Sequence, residues 1–131
     1  MSILLIHPPS SKPCEPPAGI ASLHGALRAQ GIPSSVLDLN LEGILSLVRA
    51  VRDPSDTWTR RARRKLPAHL SCLRSDSGYG NFARYQGAVR DLNRLLQVAG
   101  RAGGADLSLA NYRHRDLSPV KSGDLIRAAE R

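Results

Sequence analysis

Ile3-Leu4-Leu5-Ile6-His7-Pro8-Pro9 is followed by Pro16-Pro17-Ala18-Gly19-Ile20, by a helical stretch closing at Gly31, and by Ser35-Val36-Leu37-Asp38-Leu39-Asn40. A short apolar run bounded by breakers predicts a buried parallel strand, and its return after a helix is the pattern of a βαβ unit. Ligands of such sheets bind beyond the carboxyl ends of the strands. That edge is where His7 to Pro17 and Asp38 to Asn40 fall.

Outward from this unit, Ile20, Leu23 and Leu27 share one helical face, and Gly31 suits a left-handed helix end. Leu41, Ile44, Leu45, Val48 and Val51 keep helical spacing up to the turn formers Asp53-Pro54-Ser55-Asp56. Trp58, Ala62, Leu66, Leu70 and Leu73 continue a looser helical pattern that Pro67 is expected to kink or split. After Ser75-Asp76-Ser77-Gly78, the spacing of Phe82, Tyr85, Val89, Leu92, Leu96 and Ala99 is the strongest helical period in the chain, with Gly100 and Gly103-Gly104 expected to end it. Leu107 to Tyr112 alternates weakly, as a short edge strand or extended segment, and Ser118-Pro119 with Ser122-Gly123-Asp124 signals a last helix.

The expected fold is therefore α/β: an incomplete doubly wound, flavodoxin-like or Rossmann-like sheet with its βαβ unit at 2–40, a mainly helical region at 41–104, and the start of a further strand and helix at 105–131. All of it forms one domain of 131 residues. A doubly wound sheet needs about five strands, and this chain shows two good ones and one doubtful one. The shortfall leads us to expect either an unusual helix-rich variant of the domain or the front part of a longer protein, with an open sheet edge prone to self-association.

Composition narrows the function classes. Hydrophobic residues make up 41% and charged residues 23%, so disorder is not expected; aromatics are only 4%, leaving aliphatic side chains to fill the core. No apolar run reaches the roughly 20 residues that span a bilayer, and no basic segment precedes the first apolar run, which points to a cytoplasmic protein with no membrane partner. Cys14 and Cys72 lack CxxC spacing and are read as two free thiols. The net charge of +8 is concentrated between residues 49 and 74, where eight cations face Asp53 and Asp56.

Phosphate-binding fingerprints are absent: no GxGxxG follows the first strand and no GxxxxGK[ST] occurs. Prolines stand where those motifs have glycines. Such a loop is either a stiff wall against a flat ligand or simply a rigid connector. Asp38 likewise has two readings, a ligand contact or the residue that closes the second strand and caps the next helix. No Ser-His-Asp or Cys-His set follows from spacing, and Glu15 and Glu42 are too isolated to nominate as an acid and base pair. Catalytic residues and metal ligands are assigned to none of the chain's side chains.

The strand ending in Pro8-Pro9, the helix start at Pro17-Ala18-Gly19-Ile20 with Leu23, Leu27 and Gly31, and the second strand ending in Asp38-Leu39-Asn40 resemble the cobalamin-binding domain found at the N-terminus of many radical SAM enzymes. The likeness covers about the first third of the chain; Asn111-Tyr112 and Leu117-Ser118-Pro119 add a weaker one. The resemblance implies a flat corrin held over the carboxyl edge of the sheet, with His7, Pro8, Pro9, Pro17, Gly19, Asp38 and Asn40 as cofactor-binding residues. Gly19 would allow close approach, and Asp38 and Asn40 would hydrogen-bond the corrin amides. It further implies presentation of cobalt to a radical SAM catalytic domain, in cis or in trans. The Asp-x-His-x-x-Gly motif of related cobalamin enzymes is missing, as is the CxxxCxxC that would hold a [4Fe–4S] cluster for S-adenosylmethionine. Cluster and S-adenosylmethionine therefore belong to a full-length parent, and the chain alone is not expected to be active.

The rival reading is a small basic nucleic-acid-binding or interaction protein using the arginine-rich 49–74 region. Arg60-Arg61-Ala62-Arg63-Arg64-Lys65 could neutralise phosphates, with Trp58 stacking on a base. Arginine outnumbers lysine 16 to 3 over the whole chain, however, so the run is read first as a solvated helix face and only second as a nucleic-acid site.

Overall fold

A computed structural model describes residues 2–8, 17–52, 54–118 and 120–130, apart from the side chain of Ser77. The described elements run β1 (Ile3–His7), α1 (Ala18–Ala29), β2 (Ser34–Asp38), α2 (Leu39–Ala50), α3 (Thr57–Leu73), α4 (Asp76–Tyr79), α5 (Phe82–Ala102), β3 (Ala105–Leu107), β4 (Tyr112–His114) and α6 (Ser122–Ala129). The chain is mixed α/β.

β1 and β2 pair in parallel, with Ile3 opposite Ser34 and His7 opposite Asp38, as the βαβ pattern predicts. Between them α1 ends as its sequence dictates. Gly31 takes φ +70°, its N–H bonds the Arg28 carbonyl, and the Ile32 N–H reaches back to the Leu27 carbonyl, which satisfies carbonyls at the helix end. His24 of α1 bonds Ser34 Oγ through Nδ1 at 2.9 Å. Ser34 shares its sheet face with Leu5 and His7, so α1 lies on that face. Leu4 and Ile6 point the other way and are 54% and 50% exposed.

The expected burial of this strand is thereby corrected. None of the described residues before Leu45 is buried, because a two-stranded sheet touched by α1 and, along β1, by α2 is too narrow to be closed off on both faces. The third strand expected of the sheet is also absent from it. β3 and β4 form a separate antiparallel hairpin, and the turn bonded from Ser108 N–H to the Asn111 carbonyl falls within the stretch read as extended.

The core lies instead among α2, α3 and α5, where Val48, Val51, Ala62, Leu66, Leu92, Leu95 and Leu96 pack together. In α5 the helical period is as read, but the buried stripe is Ala88, Asp91, Leu92, Leu95, Leu96 and Gly100, while Phe82 is exposed. Gly100 does not end this helix, which continues to Ala102. A Cβ at Gly100 would stand 2.6 Å from the Ala105 carbonyl oxygen, so glycine there lets the hairpin seat against α5. Helix α3 also runs unbroken through Pro67, correcting the expected split. Cys72 is buried and free, whereas Cys14 lies outside the described residues.

Candidate functional site

The parallel register gathers most of the expected site at one edge. His7 and Asp38 end adjacent strands in register, Pro8 follows directly, and Pro17 and Gly19 begin the helix that leaves from the same edge. Pro9 lies outside the described residues, as does most of the proline loop.

His7 is half-buried on the face that α1 covers, and its Nε2 is buried with no hydrogen-bond partner among the described residues. An unpartnered buried polar atom is costly, which distinguishes this side chain from an ordinary strand-end residue. Asp38 caps α2, with Oδ1 accepting the Leu41 N–H at 3.0 Å, while Oδ2 makes no bond among the described residues. The capping account of Asp38 therefore holds and leaves one oxygen spare. Helix α1 begins at Ala18 after Pro17, with no capping side chain among the described residues and no acidic residue in its first turn. A Cβ on Gly19 would meet nothing within 4 Å, so internal packing does not demand glycine and open space lies beside this turn.

Asn40 departs from this group. It sits in the first turn of α2 rather than in the strand, and it lines an apolar cavity of about 180 Å³ with Gly43, Ile44, Leu47, Leu96, Leu107, Ser108 and Tyr112. That cavity lies between α2, α5 and the hairpin.

A second polar assembly, not foreseen from the sequence, joins α3 to α5. Asp56 caps α3: Oδ1 accepts the Thr59 N–H at 2.8 Å, and Oδ2 accepts the Thr59 hydroxyl at 2.6 Å and Arg94 Nη2 at 3.0 Å. Those bonds from Thr59, and then Arg94, hold the Asp56 carboxyl well below the usual carboxylate range. Arg94 also donates Nε–H to the Thr59 hydroxyl and lies 5.1 Å from the centre of the Trp58 ring. Trp58 in turn donates Nε1–H to Asp91 Oδ1 at 2.9 Å, and His69 Nε2 meets Asp91 Oδ2 at 2.9 Å. Asp91 is 8% exposed, and both of its oxygens are engaged. The signal in the sequence was a single carboxylate on an otherwise small and apolar helix stripe, which requires partners.

No group of three or more histidine, cysteine, aspartate or glutamate side chains able to hold a metal occurs among the described residues, and no described helix is long and apolar enough to cross a membrane. The remaining histidines have local partners, His24 on Ser34 and His114 Nδ1 accepting the Asp116 N–H. Compared with known proteins, the chain matches no family model, no curated protein and no solved structure.

Proposed function

We propose that this chain is a cobalamin-holding module that receives a corrin at the carboxyl edge of the β1–β2 pair and presents it to a radical SAM catalytic domain in cis or in trans. The observation that carries the reading is the convergence at that edge, among the described residues, of a buried and unpartnered His7 Nε2, the spare Asp38 oxygen and the uncapped first turn of α1. Together they offer hydrogen-bonding capacity of the kind a rim of corrin amides would fill, beside the room left at Gly19.

The corrin would supply the cobalt centre from which a methyl group is delivered. The chain's own residues bind and orient it. Catalysis in this reading belongs to the neighbouring domain.

Titration of the folded chain with hydroxocobalamin tests it, and we expect a saturable change in the visible spectrum with loss of the lower axial base. Gly19→Leu leaves the circular dichroism unchanged, because the space is open, and abolishes that saturation. A folded wild-type chain that gives no saturable change, or a Gly19→Leu variant that binds equally well, overturns the assignment.

A further inference from the structure

The acidic groups on the joined surface of α3 and α5 are already satisfied, whereas its cations are not. Arg60, Arg61, Arg63, Arg64 and Lys65 are exposed, and none pairs with a carboxylate among the described residues, whose ion pairs use His69, Arg94, Arg115 and Arg127. Asp56 and Asp91, which would oppose an incoming anion, are bound to Arg94 and to His69 and Trp58. Thr59, Ala62 and Leu66 fix the inner face of α3. At 100° per residue, Arg60 and Arg64 project opposite that face, roughly 6 Å apart along the axis. Arg61 and Lys65 repeat this spacing beside them.

Trp58 begins the same stripe, three residues before Arg61 and seven before Lys65. Its indole is pinned by Asp91 at the nitrogen and by Arg94 at the ring, yet it remains 40% exposed. An aromatic side chain held in one orientation at the surface loses little freedom on binding. Beside it a groove of about 450 Å³ is lined by Gln86, Arg90, Asn93, Arg94 and Gln97; Arg94 and the side-chain carbonyls of Asn93 and Gln97 are engaged within the fold, which leaves Gln86 and Arg90 to meet the edge of a flat heterocycle.

We infer that the α3–α5 surface is a binding site for single-stranded nucleic acid, with Trp58 as a base-stacking platform and the α3 cations as phosphate contacts. Arginine forks favour phosphate oxygens. Among the described residues Trp58 is the one bulky exposed side chain of this stripe, too little apolar surface for a helix face that embeds in lipid. An acidic peptide would satisfy the cations and leave the indole and the amide groove unused. Unpaired bases satisfy all three. This site is separate from the sheet edge and does not depend on the corrin reading.

The experiment is a fluorescence-anisotropy titration of the whole chain with a labelled twelve-residue oligothymidylate, with Trp58, the only tryptophan, as an internal probe. Neutralising four phosphates gives a slope of about −2.8 in log–log salt dependence, or roughly a 50-fold loss of affinity between 50 and 200 mM salt. Quenching of Trp58 saturates in step with the anisotropy. Arg60→Gln with Arg64→Gln alters only exposed side chains, preserves the fold by circular dichroism, and reduces the slope by about 1.4. The inference is overturned by a folded chain that fails to bind at 50 mM salt, by binding that leaves Trp58 emission unchanged, or by equal competition from polyglutamate or from duplex DNA of the same length.

Discussion

Replacing Asp91 with alanine removes the acceptor that Trp58 and His69 share, and leaves both groups inside the α3–α5 contact without it. The indole nitrogen can only donate, so no rotation of Trp58 recovers the bond. Two hydrogen bonds to a carboxylate at about 1.5 kcal/mol each give an expected loss of about 3 kcal/mol. We take the low end of the range because the His69 and Asp91 side chains retain 15% and 11% exposure, which admits some water. A urea m-value of about 1.5–2 kcal/mol/M converts this to a midpoint lower by roughly 2 M. Circular dichroism at 222 nm follows the helices, and the emission of Trp58 reports the site itself. Asp91→Asn keeps an acceptor for Trp58 and should lose about half as much. A shift below about 0.5 M would sink the reasoning, as would a Trp58→Phe, Asp91→Ala cycle that is additive within about 0.5 kcal/mol.

Pro67→Ala should stabilise the chain by about 1–3 kcal/mol in the same assay, since it restores a backbone donor inside α3 at an exposed position. Gly100→Ala should destabilise it by about 1–3 kcal/mol and shift the amide resonances of β3, because the new methyl would press on Ala105 and Leu107. Asp56 and Asp124 have carboxyls held below the ordinary value of 3.8, the first mainly by the Thr59 hydroxyl and backbone and then by Arg94, the second mainly by Arg127 and the Ser118 N–H. Stability from both is present above that value and lost as pH falls through the lower folded-state values, so Asp56→Asn with Asp124→Asn should flatten the acid limb of stability below about pH 4. Leu4→Lys with Ile6→Lys should reduce concentration-dependent self-association in sedimentation velocity without changing the helical signal, because both side chains are half exposed on the sheet face away from α1.

The strand, helix and strand of residues 3–38 were legible because breakers and apolar periodicity agree there, and the same holds for α2 and α5. Position along a period was less legible than the period itself. On α5 the sequence singles out Phe82 and Val89, but the buried stripe runs through Ala88, Asp91 and Leu95, since facing helices and not hydrophobicity alone choose which side turns inward. Pro67 misled because a proline breaks a helix only where its missing donor and ring cannot be tolerated, and on the outer side of α3 they can. Gly100 misled because glycine marks close approach as readily as termination. Of the candidate site, the shared sheet edge followed from topology. The His69–Asp91–Trp58 assembly did not, because its members are 22 and 33 residues apart and only helix packing brings them together.

That the strands and α1 contribute no buried side chain, while α2, α3 and α5 supply the core, divides the molecule into two tiers of local stability. Backbone amides of α3 and α5 should exchange with solvent deuterium only through global unfolding, and those of β1 and β2 through a shallower opening of their own. The sheet-edge site belongs to the shallower tier. A ligand seated there would first appear as slowed exchange at Leu5, Ile6 and Leu37, well before any rise in the melting temperature of the helical core, and exchange mass spectrometry would locate it whatever its chemistry.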